Sequence, residues 1–136
     1  MIDDRPLPDT QAEHDATFWE AAAEGRLLVQ ECGSCGHRQL YPGPVCRACH
    51  AEAPGWIDAE GTGEVHSYTV IRRATEHRAF EPAIPYVVAS VELPEGPRML
   101  TNVVGCDVED VEVGMPVVVE FEPLGEGVAI PVFRPR

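Results

Sequence analysis

The sequence predicts a mainly β protein: an N-terminal helix, a thiol-bearing ribbon, and a closed five-stranded barrel. Three observations predict it. "HDATFWEAAAEGRLLVQ" is rich in helix formers and stops at a glycine. "CGSCGHRQLYPGPVCRAC" sets four cysteines in two pairs, Cys32/Cys35 and Cys46/Cys49. From Gly61 onward five segments read as strands at period two. The chain accordingly divides into an arm and helix over 1–26, a zinc ribbon over 27–60 and a barrel over 61–136.

Composition narrows the function. At 136 residues, with 44% hydrophobic and 24% charged residues, the chain is globular. No apolar run reaches the roughly 20 residues of a membrane helix. The acidic, proline-bearing start "MIDDRPLPDT" is the opposite of a signal peptide, which points to the cytoplasm and to cysteines kept as free thiols. Net charge is −13, and all 10 cations are arginine. Nucleic-acid binding draws most of its affinity from neutralised phosphate, so this balance argues against a nucleic-acid partner.

Residues 1–12 carry no period and read as an extended arm. In the helix, Asp15 or Thr17 can cap the start, Gly25 ends it, and Phe18, Trp19, Ala22 and Ala23 are the apolar positions. Two large aromatics on so short a helix must be buried, either in this chain's own core or against a partner. "GRLLVQECG" is a strand entering the first thiol pair. Residues 36–45 and the segment "HAEAPGWIDAEG" read as loop because of their Gly and Pro. In the barrel, "GEVHSYTVIRR" comes first, and "IPYVVASVEL" places Val87, Ala89, Val91 and Leu93 on one face. "RMLTNVVG", "PVVVEFEP" and "VAIPVF" complete the five. "LPEGPR" is a hairpin turn, and the insert "CDVEDVEVGM" is expected to be the longest connection. Five antiparallel strands in so short a stretch suit an OB-fold.

A CxxC turn aims two sulfurs at one point, and two such knuckles make a tetrahedral S₄ cage suited to zinc or to iron of the rubredoxin type. Zinc is preferred, one ion per chain, because a ribbon with little core draws folding energy from a structural ion. Four thiolates close the coordination shell, so this metal does no chemistry. The second knuckle, "CRACH", has His50 where glycine is common. The ribbon and barrel are expected to have separate cores. Cys106, the odd thiol, reads as a small buried hydrophobe. The sequence presents no catalytic constellation.

The order of features carries a resemblance. "FWEAAAEGRL", the two CxxC pairs, "GTGEVHSYTVIRR", "PYVVASVELPEG", "VGMPVVVEF" and "IPVFRP" together resemble the rubredoxin-like zinc-ribbon plus OB-fold family, a domain of unknown function that accompanies acyl-CoA enzymes. The resemblance runs from Phe18 to Pro135. It implies a non-catalytic accessory subunit of a thiolase or of a thiolase-like lipid-transfer aldolase, with sterol side-chain CoA esters among the substrates. The assembly it implies is an α2β2 hetero-oligomer with acyl-CoA at or near the interface and the catalytic residues on the partner. The metal ligands it implies are Cys32, Cys35, Cys46 and Cys49, all present here although some relatives have lost them. Phe18, Trp19, Leu40 and Tyr41 are the candidate partner-facing residues. Arg72, Arg73, His77, Arg78 and Phe80 in "RRATEHRAFEP" are the candidates for gripping coenzyme A phosphates or acidic groups on the partner, a solvated loop tip being the alternative. Two rival functions are a nucleic-acid-binding ribbon/OB module, opposed by charge, and a rubredoxin-like electron carrier, whose knuckles usually lie farther apart.

Overall fold

The computed structural model describes residues 5–73 and 78–136. Helix α1, Ala16–Ala23, buries Phe18, Ala21 and Ala22, the i, i+3, i+4 stripe of a helix facing a core. Ala23 lies outside that stripe and is exposed. The helix ends in paired 6→1 and 5→2 bonds: Arg26 N–H donates to Ala21 O (2.9 Å) and Gly25 N–H to Ala22 O (3.0 Å). This is the Schellman arrangement, and it needs the left-handed φ of 79° that Gly25 supplies.

The ribbon is a three-stranded antiparallel sheet in the order β2-β1-β3, with β1 Leu28–Glu31, β2 Arg38–Gln39 and β3 Gly55–Asp58. Both β2 and β3 lie in segments expected to be loop. Their Pro residues stay outside the paired positions, Gly55 is tolerated as the terminal pair opposite Glu31, and β1 offers an edge to each. On one side Gln30 faces Gln39, and on the other Val29 faces Ile57.

The barrel closes as β4-β5-β6-β8-β7, from Thr62–Ile71, Tyr86–Glu92, Arg98–Val103, Val128–Pro135 and Pro116–Gly125. This is the OB-fold architecture, with its one parallel contact between β6 and β8 at Val103 and Phe133. Val87, Ala89, Val91 and Leu93 all point inward, as alternation dictates. The turn after β5 closes with Leu93 N–H on Pro97 O at 3.0 Å. Within the barrel the connection 72–85 between β4 and β5, not the acidic insert before β7, is the longest. Closure requires a close backbone approach at Gly63, where a Cβ would come within 2.8 Å of Glu92 O.

The cores are not separate. Phe18, Leu27, Val29 and Leu40 belong to the same buried cluster as Val65, Val91, Val117 and Phe133. Helix α1 makes the join, packing against β8, β1 and β7. A ribbon this small cannot bury apolar side chains within itself, so it shares the barrel's core. Among the described residues no helix is long and apolar enough to cross a membrane.

Candidate metal centre and the ribbon–barrel seam

The two knuckles are near copies. Cys32 N–H donates to His37 O and Gly36 N–H to Cys32 O, each at 2.9 Å. In the second, Cys46 N–H donates to Ala51 O and His50 N–H to Cys46 O, also at 2.9 Å. The residue after each second cysteine turns left-handed: Gly36 at φ 77° and His50 at φ 65°. His50 therefore occupies a glycine position by conformation as well as by spacing.

The turns bring the four Sγ atoms within 4.8 Å of one another. Cys32 Sγ lies 3.6 Å from Cys49 Sγ, and Cys35 Sγ lies 3.6 Å from Cys46 Sγ. A tetrahedron with bonds of about 2.3 Å to zinc has edges of about 3.8 Å, so the spacing fits a tetrathiolate ion. Backbone N–H groups also point at sulfur: Ser34 and Cys35 toward Cys32 at 3.3 and 3.4 Å, and Ala48 toward Cys46 at 3.4 Å. The Cys35 and Ser34 N–H groups lower the Cys32 thiol to about 6. Cys46 is lowered as well, chiefly by the Cys49 N–H. Cys35 receives the His37 N–H, yet burial and the sulfurs of Cys49, Cys46 and Cys32 outweigh it and push the thiol up to about 12. Such a cage already favours thiolate at Cys32 and Cys46, while Cys35 must release its proton to solvent when a soft cation binds. These four residues could hold a metal ion.

Alongside the ribbon lies a groove of about 520 Å³ between helix, ribbon loop and barrel, lined in part by Phe18, Trp19, Leu40, Tyr41, Leu100 and Pro131. The four candidate partner-facing residues all border it, but unequally. Phe18 is 9% and Leu40 7% exposed, and both belong to this chain's own core. Trp19 is half-buried and meets Phe18 edge to face at 5.1 Å. Tyr41 is 58% exposed, and beside it Leu100 is 63% exposed, an apolar surface residue that the sequence did not single out. Alternation along β6 marks Leu100 as outward, between inward Met99 and Thr101.

Among the candidate anion-gripping residues, Arg72 and Arg73 are exposed after β4, and Arg72 pairs with Glu109 at 3.6 Å. Arg78 is exposed at the head of a short 3-10 helix, Arg78–Ala83. Phe80 is half-buried, 6.0 Å from the Tyr86 ring and beneath the Arg5 guanidinium at 5.3 Å. His77 lies outside the described residues. Cys106 is half-buried, and burial first, then Asp110 and Asp107, pushes its thiol up, away from nucleophilic character. Missed altogether were Gln30 and Gln39, the buried amides beneath the knuckles. Glutamine in a strand beside a turn gives no signal of burial.

Comparison with known proteins matches both halves of the chain. A family described as the ChsH2 rubredoxin-like zinc ribbon domain matches residues 19–55, and the ChsH2 C-terminal OB-fold domain matches residues 56–122. A probable enoyl-CoA hydratase alpha subunit of Thermomonospora curvata is 42% identical over 132 residues, which is 96% of this chain. This chain spans 40% of that relative's length. A DUF35 domain-containing scaffold protein of Methanothermobacter thermautotrophicus is 34% identical over 74% of each chain. A chain of the solved structure titled Ltp2-ChsH2(DUF35) aldolase superposes with a TM-score of 0.83 at 41% identity, covering 96% of this chain and 98% of that one. With both halves matched in order and this fold shared nearly end to end, the chain belongs to the ChsH2-type DUF35 family of zinc-ribbon and OB-fold proteins.

Proposed function

We propose that this chain is the non-catalytic accessory subunit of a thiolase-fold acyl-CoA enzyme, an aldolase of the lipid-transfer type before a condensing thiolase. The observation that carries the reading is the 41% identity, over 98% of its length, to a chain of a solved structure titled as an aldolase of two named components. The scaffold name of the Methanothermobacter thermautotrophicus relative agrees with an accessory role, and the hydratase name of the Thermomonospora curvata relative agrees with acyl-CoA chemistry nearby.

The residues fit the parts of that role. Cys32, Cys35, Cys46 and Cys49 would hold one zinc ion, which supplies folding energy to the ribbon and leaves no coordination position for substrate. Tyr41, Leu100 and Trp19 along the groove would receive the thiolase-like subunit. The exposed Arg72, Arg73 and Arg78, with His77 beside them in sequence, and the half-buried Phe80 would meet coenzyme A phosphates or acidic groups of the partner. The assembly would be an α2β2 hetero-oligomer in the cytoplasm. It would carry acyl-CoA at or near the subunit interface, with sterol side-chain CoA esters as the acyl class the resemblance points to.

Reconstitution tests the reading. Co-expression with a thiolase-like subunit should yield a stable complex by light scattering. Retro-aldol or thiolytic turnover should appear only with both chains present. Turnover of acyl-CoA by this chain alone, or the absence of any complex, would overturn it.

A further inference from the structure

The cage has two halves that no ladder hydrogen bond joins among the described residues. Cys32 and Cys35 belong to the β1–β2 hairpin, whereas Cys46 and Cys49 sit in a separate turn closed by the Val45–Glu52 bridge and by Ala53 N–H on Pro44 O. The β1–β3 ladder anchors the chain just past that turn, at Gly55 opposite Glu31, and side chains complete the docking. Gln30 and Gln39 face each other across β1 and β2, and are 4% and 5% exposed.

Gln39 Nε2 donates to Gln30 Oε1 at 2.9 Å and to Val45 O at 3.1 Å, and Gln39 Oε1 accepts Arg47 N–H at 3.0 Å. Val45 and Arg47 flank Cys46, so one amide grips the chain on both sides of a candidate ligand. Gln30 completes the bracket. Its Oε1 accepts Gly43 N–H and its Nε2 donates to Gly43 O, both at 3.1 Å. The orientation of Gln39 is fixed by chemistry, since a flipped amide would set N–H against N–H at Arg47 and oxygen against oxygen at Val45. The Arg47 guanidinium adds bonds to Leu40 O and Tyr41 O.

We propose that the Gln30–Gln39 amide pair is the positioning element of the cage: it docks the Cys46 turn against the first hairpin before any ion arrives and fixes the Cys46 sulfur in the coordination geometry. The proposal rests on the metal reading above. Groups that orient ligands typically govern metal affinity by 10–100-fold, and a buried pair with both amides engaged is rigid.

Gln39→Met keeps the length and volume of the side chain and removes all three bonds. In the full chain it should weaken zinc binding by 10–100-fold in chelator competition, and the Co²⁺-loaded variant should show a shifted ligand-field spectrum. In wild-type protein stripped of metal, the Arg47 N–H should stay protected from hydrogen exchange because Gln39 still holds it. Wild-type affinity in the variant would overturn the proposal. So would lowered affinity with an unchanged Co²⁺ spectrum, which is loss of ribbon stability alone. If the variant does not fold, the wild-type exchange measurement decides: an Arg47 amide that exchanges freely once zinc is removed means that the ion, not the glutamines, builds the cage. A wild-type chain that takes up no zinc fails at the metal reading itself, whereas a defect confined to the variant bears on the glutamine pair.

Discussion

The Tyr41 hydroxyl accepts the backbone N–H of Leu100 at 2.9 Å, tying the ribbon loop to the barrel across the groove. Leu100 faces Ser90 of β5 on one side, while the parallel contact with β8 lies farther along at Val103, so its N–H sits at an open stretch of strand edge. Tyr41 caps that edge from a left-handed backbone, φ 62°, held by the Arg47 guanidinium on its carbonyl. Tyr41→Phe removes the acceptor and keeps the ring. Water replaces the hydroxyl, so the stability cost should stay at or below about 1 kcal/mol. Hydrogen exchange at the Leu100 amide should nonetheless accelerate. An unchanged exchange rate would mean that the seam is held by ring packing alone.

Phe18→Ala should destabilise the whole chain rather than only loosen a docking surface. The ring is in the cluster shared by ribbon and barrel, and truncating a buried Phe costs about 3–5 kcal/mol. A single unfolding transition, lowered by that amount in denaturant titration, is the expected result. Trp19→Ala, half-buried at the groove, should cost less. A Phe18→Ala protein as stable as wild type would return the helix to the role of a partner-facing element.

The barrel was legible because alternation encodes both strand and face: Val87, Ala89, Val91 and Leu93 announce the interior on their own. The cage was legible for a different reason, since each CxxC pair aims its own two sulfurs through a local turn, whereas the contacts that dock one turn on the other left no mark in the sequence. The short ribbon strands were not. Arg38–Gln39 is too brief for a period, and Gly55–Asp58 exists only because β1 has a second edge to fill. The shared core was hidden likewise, because Phe18 and Leu40 reveal that they are buried but not against what.

Zinc uptake should release protons, and affinity should fall as pH falls. In the metal-free cage at neutral pH Cys32, lowered to about 6, is already thiolate, while Cys35, pushed up to about 12, still holds its proton and must lose it to the metal. Below about pH 6 Cys32 is protonated too, so the decline should steepen there. The same shift gives the metal-free fold its own pH dependence. A depressed thiol contributes stability that is present above its ordinary value near 9 and fades as pH falls toward 6. Titrating zinc in buffers of different ionisation enthalpy measures the released protons. A pH-independent affinity between 5 and 8 would contradict the assignment of thiolate ligands.

His50→Gly should stabilise the ribbon. His50 holds a left-handed φ of 65° where the equivalent position of the first knuckle has Gly36 at 77°. A side chain in that region costs about 1 kcal/mol or more, and His50 is exposed, so little packing is lost with it. Part of the gain is offset by the freer unfolded glycine, leaving a net effect of about 0.5–1 kcal/mol. Thermal unfolding of the zinc-loaded protein is the measurement. A destabilised variant would mean that the imidazole makes a contact that outweighs the strain.

Association with the proposed thiolase-like subunit should depend on the outward groups of the groove rather than on its buried floor. Tyr41 and Leu100 are among the exposed large apolar side chains, and they adjoin each other where ribbon meets barrel. Their burial on a partner would remove apolar surface from water without reorganising this chain, and central aromatic anchors of that kind contribute about 2 kcal/mol or more at interfaces. Tyr41→Ala with Leu100→Ala should therefore raise the dissociation constant by about 30-fold or more, while the variant, although less stable for loss of the Tyr41 seam contact, stays folded and binds zinc as wild type does. Val113 is a control: at 67% exposure it is as apolar and as accessible, but it lies outside the groove. Val113→Ala should leave association unchanged. If the two variants are indistinguishable by calorimetry or light scattering, the groove is not the docking surface. If Val113→Ala alone weakens the complex, the partner sits instead on the loop that precedes β7.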